Sequence, residues 1–289
     1  MRGRLFLIDG SSYIYRAFYA LPPLSTSFQL PTNAIYGFTS MMLSLIKKEK
    51  PEYLAIGFDA PGPTFRHRAF PSYKATRPPM PEDLSKQLPY IREIIEGFQM
   101  PSLEVEGYEA DDILATLAKK AQREFLRVFI LTPDKDMLQL VTDRIYVWNP
   151  FVKGGIYDRK KVEEKFGVMP ERIPDYLALL GDPSDNIPGV TGIGKKTAVR
   201  LIQEFGPVEK ILASCDKIES QEIREKLLSC KEQILASKKL VTLDIHVPLS
   251  ISWERCKRRE FNREKLATIF EKLEFKRFLK EMGEGGSLL

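Results

Sequence analysis

Apolar positions follow two regimes along the chain. In the first half, Leu5–Ile8, Tyr53–Phe58 and Val128–Leu131 are short apolar runs, closed by Asp9-Gly10, by Asp59 and by Thr132-Pro133-Asp134. Runs closed by turn signals suit strands buried on both faces of a parallel sheet. Ile145–Trp148 reads as a further strand. Between them, Ala34–Lys48 places Ile35, Phe38, Met42, Leu45 and Ile46 on one face, and Ala110–Glu124 repeats the spacing with Ile113, Leu114, Leu117, Ala118 and Ala121. Both spacings predict amphipathic helices.

From residue 158 onward the pattern is mainly helical, over 158–166, 170–180, 195–205, 208–214, 220–238 and 263–282. Glycines and prolines separate these stretches. The expectation is an α/β fold with a mostly parallel central sheet flanked by helices over 1–157, and a helical subdomain over 158–289 packed on it. Residues 61–81 fit neither regime: they are rich in proline and cations, with aromatics interleaved. A long irregular segment inside a compact domain is more often functional than idle.

Composition narrows the chemistry. The two histidines, His67 and His246, cannot build a multi-histidine zinc site, and Cys215, Cys230 and Cys256 lie far apart without a C-x-x-C pair. No apolar stretch approaches the roughly 18 residues of a membrane helix, and the N-terminus lacks a signal-peptide core. A soluble, intracellular, cytoplasmic protein is therefore expected, with carboxylates carrying any catalysis.

Aspartates close the strand runs at Asp9, at Asp59 and at Asp134 with Asp136, so they should meet at one edge of the sheet. A lone aspartate there is usually a turn residue or cap. The further groups Glu109-Ala-Asp111-Asp112 and Gly181-Asp182-Pro-Ser-Asp185 make caps an insufficient account, although one of Asp111 and Asp112 is expected to be only a cap. Adjacent carboxylates repel, and a divalent cation relieves that repulsion. All-oxygen ligation favours Mg²⁺ or Mn²⁺ over Zn²⁺.

Gly189-Val-Thr-Gly192-Ile-Gly194-Lys195 starts like a phosphate loop, but Lys196 stands where Ser or Thr is required and no strand precedes it. It reads better as a hairpin joining helices at 173–180 and 195–205, with Gly192, Gly194, Lys195, Lys196 and Thr197 facing a nucleic-acid backbone.

Taken in order, Leu-Ile-Asp9-Gly-Ser-Ser, Phe58-Asp59, Phe-Arg66, Tyr73-Lys74-Ala-Thr-Arg77-Pro, Glu109-Ala-Asp-Asp112, Asp134-Lys-Asp136 and Gly181-Asp-Pro-Ser-Asp185 through Lys195-Lys-Thr-Ala198 resemble the 5′-nuclease domain of bacterial DNA polymerase I, of the flap endonuclease family. Pro133 stands where the family often has glycine. The resemblance implies a helical arch at about 61–90, a helix-hairpin-helix motif at about 173–205 that often holds K⁺, and a metal-dependent 5′→3′ exonuclease and flap endonuclease. Asp9, Asp59, Glu109, Asp111 and Asp112 would hold one metal more tightly, with Asp134, Asp136, Asp182 and Asp185 as companions around a second. Lys74 and Arg77 would contact the scissile phosphate from the arch, with Arg66 a weaker candidate. Tyr73 or Phe70 would stack on an unpaired base.

Implied partners are branched or flapped duplex DNA with a 5′ single strand, RNA primer ends and a DNA polymerase, and the chain is expected to be a monomer. Its end at Leu289, after a glycine-rich tail, is expected of a free-standing nuclease or an isolated domain. Two other readings are a non-catalytic DNA-junction binder of the same fold and a small-molecule phosphatase. A phosphate binder gains nothing from concentrated negative charge, and a phosphatase does not need the basic segments. Removing nine candidate site acids from a chain of net charge +5 leaves +14, a basic body around an acidic pocket.

Overall fold

A computed structural model describes residues 2–283; most of the glycine-rich tail, 284–289, lies outside the described residues. Its sheet is built from β1 (Arg2–Asp9), β2 (Tyr53–Gly57), β3 (Ser102–Leu103), β4 (Phe125–Leu131), β5 (Ile145–Trp148) and β6 (Ile156–Tyr157), in the order β3-β2-β1-β4-β5-β6. All neighbours are parallel except β6, which turns back on β5. Strand periodicity divides the core. Leu5 and Leu7 point into one buried layer with Ile113, Leu114 and Leu117, while Phe6 and Ile8 point into the other with Ile35, Phe38 and Met42. Both faces are covered, which is why these strands read as continuous apolar runs and not as alternation.

The first layer also takes in the helices from Arg159–Phe166 to Lys231–Val241, joined through the sheet-facing helix Ala110–Ala121. The chain then crosses beneath β2, where the Arg258 amide donates to the Glu52 carbonyl at 2.8 Å. Its last helices, Arg263–Lys272 and Lys276–Gly283, pack in the opposite layer through Leu266, Phe270 and Phe278. No described helix is long and apolar enough to cross a membrane.

Besides the unforeseen edge strands β3 and β6 and the helix Leu88–Gly97, three elements differ from the expectation. A helix at Gly10–Ala20, unforeseen behind its Gly-Ser-Ser start, buries Tyr13, Ile14 and Ala17. The stretch expected as one helix over 220–238 is two, Gln221–Ser229 and Lys231–Val241, parted at Cys230. The last expected helix also breaks, at Glu274, whose φ of 59° is left-handed and whose carboxylate accepts from the Ser27 amide at 2.9 Å.

The strand order reverses beside β1, whose neighbours β2 and β4 lead away in opposite directions. Ligands of open α/β sheets sit at the carboxyl ends of the strands at such a switch point. Asp9, Asp59 and Asp134 stand there, at or just beyond the ends of β1, β2 and β4.

Candidate active site

Each acid is held by the local backbone that the sequence dictates. Asp9 ends β1 and caps the helix Gly10–Ala20, accepting from the Ser12 amide at 2.9 Å and the Thr132 hydroxyl at 2.7 Å. Asp59 is exposed and accepts from the Ala110 amide and the Ser11 hydroxyl, both at 2.9 Å. Beyond β4, Asp134 accepts from the Asp136 amide at 2.8 Å. Asp182 caps the turn Pro183–Asp185, and Lys135 reaches its carboxylate at 2.9 Å.

The acids are not uniformly satisfied. Asp136 Oδ1 is buried without a hydrogen-bond partner, and among the described residues the Asp111 carboxylate accepts no hydrogen bond. One carboxylate oxygen from each of Asp136, Asp182 and Asp185 lies within 4.8 Å of the other two.

The segment 61–81 forms the short helix Phe65–Ala69 and a series of turns lying directly on these acids. Lys74 Nζ is 2.6 Å from Glu109 Oε1 and 3.8 Å from Asp185 Oδ2, and Arg77 Nη2 is 2.5 Å from Asp185 Oδ1. Lys74 holds a left-handed φ of 55°, and its amide donates to the Asp185 carbonyl at 3.0 Å. A non-glycine residue fixed in that region at a site like this is backbone strain held by its surroundings.

Three candidates have other roles in this fold. Arg66 is 1% exposed and is enclosed by Asp112, Glu109 and the carbonyls of Leu240 and Thr242, so it reaches no phosphate here. Asp112 is fully buried and caps its own helix, accepting from the Glu109 amide at 3.3 Å. Of the adjacent pair, it is the one that closes the capping box with Glu109. Tyr73, expected on an unpaired base, is 3% exposed, with its hydroxyl at 3.0 Å from Glu109 and 3.1 Å from Asp185. Phe70 is half-buried against the core.

The electrostatics follow from crowding. Burial raises the Asp9 pKa despite hydrogen bonds from Ser12 and Thr132, and the charge of Asp59 adds to the rise. Asp111 is pushed well above the ordinary carboxylate range by burial and then by Asp134 and Asp9, with Lys74 opposing. Asp134 and Asp136 are also raised, first by burial; Asp185 and Asp9 add to the first, Asp134 and Asp182 to the second. Burial alone would raise Asp182 too, but Lys135 and Ser184 hold it below its ordinary value.

A stability prediction follows for the chelated protein. A carboxyl whose folded pKa exceeds its unfolded value of 3.8 makes stability fall as pH rises from that value through the folded pKa. Asp111→Asn removes this loss. In EDTA at neutral pH the variant should melt several degrees above the parent, since ~1 kcal/mol moves Tm by about 2–4 °C in chains near this size. The gap should close as the pH drops toward 4 and Asp111 takes up its proton. Differential scanning fluorimetry across pH checks this; a variant that melts lower at neutral pH contradicts it.

The N-terminal resolvase-like domain of 5′-3′ exonucleases matches residues 4–167, and their C-terminal SAM-fold domain matches residues 168–264. A 5′-3′ exonuclease of Aquifex aeolicus is 46% identical over 96% of this chain and 94% of its own length. The chain belongs to the 5′-3′ exonuclease family. DNA polymerase I of Bacillus subtilis is 43% identical over 98% of the chain, which spans 32% of the polymerase. Among solved structures, a bacteriophage T5 flap endonuclease complexed with DNA and metal ions superposes with a TM-score of 0.70 at 22% identity, covering 97% of this chain and 99% of that one. The catalytic core of Rad2 with a DNA substrate gives a TM-score of 0.64 at 16% identity, covering 94% of this chain and 88% of its own. At these identities the two structures establish the shared fold.

Two further features of this exonuclease flank the acids. In the hairpin, Gly192 takes a left-handed φ of 83°, Gly194 caps the helix Lys195–Phe205 without a side chain, and Lys195 and Lys196 are exposed while Thr197 is half-buried. The hairpin is pinned from behind by Gln233 and Ser237, which donate to the carbonyls of Gly189 and Pro188 at 2.8 and 2.9 Å. On the other side, a cavity of about 540 Å³ beside Asp59 and Arg77 is lined by Tyr15, Tyr19, Phe58 and Arg92. Sequence reasoning missed this cavity, because its two tyrosines come from an unforeseen helix; the spacing Tyr15–Tyr19, one helical turn, was the available signal.

Proposed function

We infer that this exonuclease is a structure-specific, metal-dependent 5′ nuclease that hydrolyses DNA phosphodiesters near a 5′ end and removes 5′ flaps and RNA primers. The observation that carries the reading is the convergence of Asp9, Asp59, Glu109, Asp111, Asp134, Asp136, Asp182 and Asp185 beneath a segment that delivers Lys74 and Arg77. Such a site suits a polyanionic substrate held over hard cations.

The donor set fits divalent cations. It is all oxygen, it includes a buried unpartnered Asp136 Oδ1, and its carboxylates repel one another for want of a counter-charge. Asp9, Asp59, Glu109 and Asp111 would hold one Mg²⁺ or Mn²⁺, and Asp136, Asp182 and Asp185 a second, with Asp134 between. Two such cations would supply an activated water and stabilise the leaving oxygen of the displacement.

The chain's own groups then have defined tasks. Lys74 and Arg77 exchange Glu109 and Asp185 for the non-bridging oxygens of the scissile phosphate and offset charge there. Lys195, Lys196 and the amides at the start of their helix take the duplex backbone without reading sequence. The Tyr15 cavity accepts an unpaired base by stacking. The chemistry thus falls to residues 1–157 and the duplex grip to those from 158 onward, and a DNA polymerase is the partner that would generate the flaps.

The direct test is a 5′-labelled flap duplex incubated with Mg²⁺ and then with excess EDTA; absence of metal-dependent cleavage near the junction overturns the reading. A second expectation concerns the cations. Lys74→Ala and Arg77→Ala should each lower kcat by about 10²–10³-fold, the size of one lost electrostatic donor at a reacting centre. Flap affinity should change far less, because the hairpin contacts are untouched. Single-turnover kinetics beside anisotropy titrations separate the two effects.

A further inference from the structure

We propose that Arg66 is the positioning residue for Glu109, and that Asp112 is its buried counter-ion and not a metal ligand. The proposal rests on the nuclease reading above, and it concerns how the acid site keeps its shape.

The hydrogen bonds around Arg66 account for every donor it has. Nε donates to the Leu240 carbonyl at 2.7 Å; Nη1 to Glu109 Oε2 at 3.1 Å and Asp112 Oδ2 at 2.6 Å; Nη2 to Asp112 Oδ1 at 2.8 Å and the Thr242 carbonyl at 3.2 Å. A guanidinium has five N–H groups in a fixed fork, and all are used. Asp112 is filled likewise. Besides the two Arg66 contacts, its oxygens accept from the amides of Glu109 at 3.3 Å and Asp244 at 2.9 Å. An ionised carboxylate has about four acceptor sites, so no capacity is left for a cation. Turning Asp112 toward an ion would strip a buried Arg66 of its main partner, a strongly unfavourable change.

Glu109 shows what the pair accomplishes. Its Oε2 accepts from Arg66 and from the Tyr73 hydroxyl at 3.0 Å, both nearly fully buried donors. Its Oε1 meets Lys74, whose side chain keeps 16% of its surface exposed. One oxygen is therefore fixed by the interior and the other is presented to the site. Since Leu240 and Thr242 lie at the end of the helix Lys231–Val241, Arg66 ties the orientation of Glu109 to the helical part of the chain.

Two experiments decide the matter. Mn²⁺ titration of the DNA-free protein, followed by electron paramagnetic resonance, should give Asp112→Asn the same number of bound ions as the parent, while Asp111→Asn loses one; loss of an ion in Asp112→Asn overturns the proposal. This readout stands even if the parent fails to cleave flaps, an outcome that would sink the nuclease reading alone. In the second experiment, replacing the pair together, R66M with D112L, should keep Tm near the parent value, as buried ion pairs often tolerate apolar substitution. Its kcat should fall about 100-fold with KM unchanged, the size expected when a reacting group is misplaced by about 1 Å. Arg66→Lys, which keeps the charge and loses the fork, should show the same split and covers the case in which the double variant does not fold. Parental kcat in either folded variant would make Arg66 a merely structural residue and overturn the proposal.

Discussion

Asp111→Asn should lower flap cleavage by 10³-fold or more while leaving flap affinity within about threefold. Among the described residues its carboxylate has no hydrogen bond to lose, so the substitution breaks nothing in the fold. It does remove one negative charge from the point where the fields of Asp134, Asp9 and Asp59 meet. Loss of one electrostatic group at a reacting centre is worth about 10²–10³-fold, and loss of a ligand that also sets ion occupancy exceeds that. Binding should persist because the proposed duplex grip, at the hairpin, lies outside the acid cluster that the substitution alters. Single-turnover cleavage of a 5′-labelled flap in Mg²⁺, beside anisotropy in Ca²⁺, reads both quantities. Unchanged cleavage would remove Asp111 from the metal site. The same variant is expected to be the more stable protein in EDTA, so activity and ligand-free stability should move in opposite directions, as when a fold stores repulsion at its site.

How far this site was legible in the sequence depends on the range of the interactions involved. Asp9, Asp59 and Asp134 could be placed at one edge because apolar runs closed by turns specify parallel strands, and parallel strands carry their ends to a common side. Asp182 and Asp185 were visible as a cluster in a turn. What could not be read locally was which of two adjacent aspartates faces the cations. Asp111 and Asp112 differ by about 100° around the helix, and only the arrival of Arg66 on one side distinguishes their surroundings. Arg66 itself lies in a proline- and cation-rich segment that looks solvated. Its burial depends on carbonyls 174 and 176 residues further along the chain. Whether Tyr73 packs or stacks was open in the sequence for the same reason, since its hydroxyl partners, Glu109 and Asp185, are 36 and 112 residues distant. The helix Gly10–Ala20 went unread because Asp9 serves two purposes: as a strand-end acid it was seen, and as the cap of that helix it was not.

Gly189→Ala should be among the most damaging single substitutions outside the acid site, lowering stability by about 3 kcal/mol or more and Tm by roughly 6–12 °C. A Cβ at Gly189 would stand 2.2 Å from both the carbonyl carbon and the oxygen of Leu180 and 2.5 Å from the Gly181 amide nitrogen. These are backbone atoms that no rotamer change can move. Gly181, at a left-handed φ of 78°, faces it from the end of the helix Ile173–Leu180. The crossing is further fixed by reciprocal hydrogen bonds between Asp182 and Ile187 at 2.8 and 2.9 Å, and by the Val190 amide on the Leu179 carbonyl at 2.8 Å. Prising these backbones apart would shift Asp182 and Asp185 on one side and the hairpin lysines on the other, so cleavage and duplex binding should fall with Tm. Gly194→Ser provides the contrast. No atom lies within 4 Å of a Cβ at Gly194, its φ of −91° suits any residue, and serine is a favourable cap for the helix Lys195–Phe205. Its Tm should hold or rise slightly. The new hydroxyl, however, would occupy the amides proposed above to take a DNA phosphate, so duplex affinity should drop and the salt dependence of binding should flatten. Thermal melts and anisotropy at two salt concentrations, run on both variants, separate a glycine required by the fold from one required by the ligand; undiminished binding by Gly194→Ser would show that the duplex is held elsewhere.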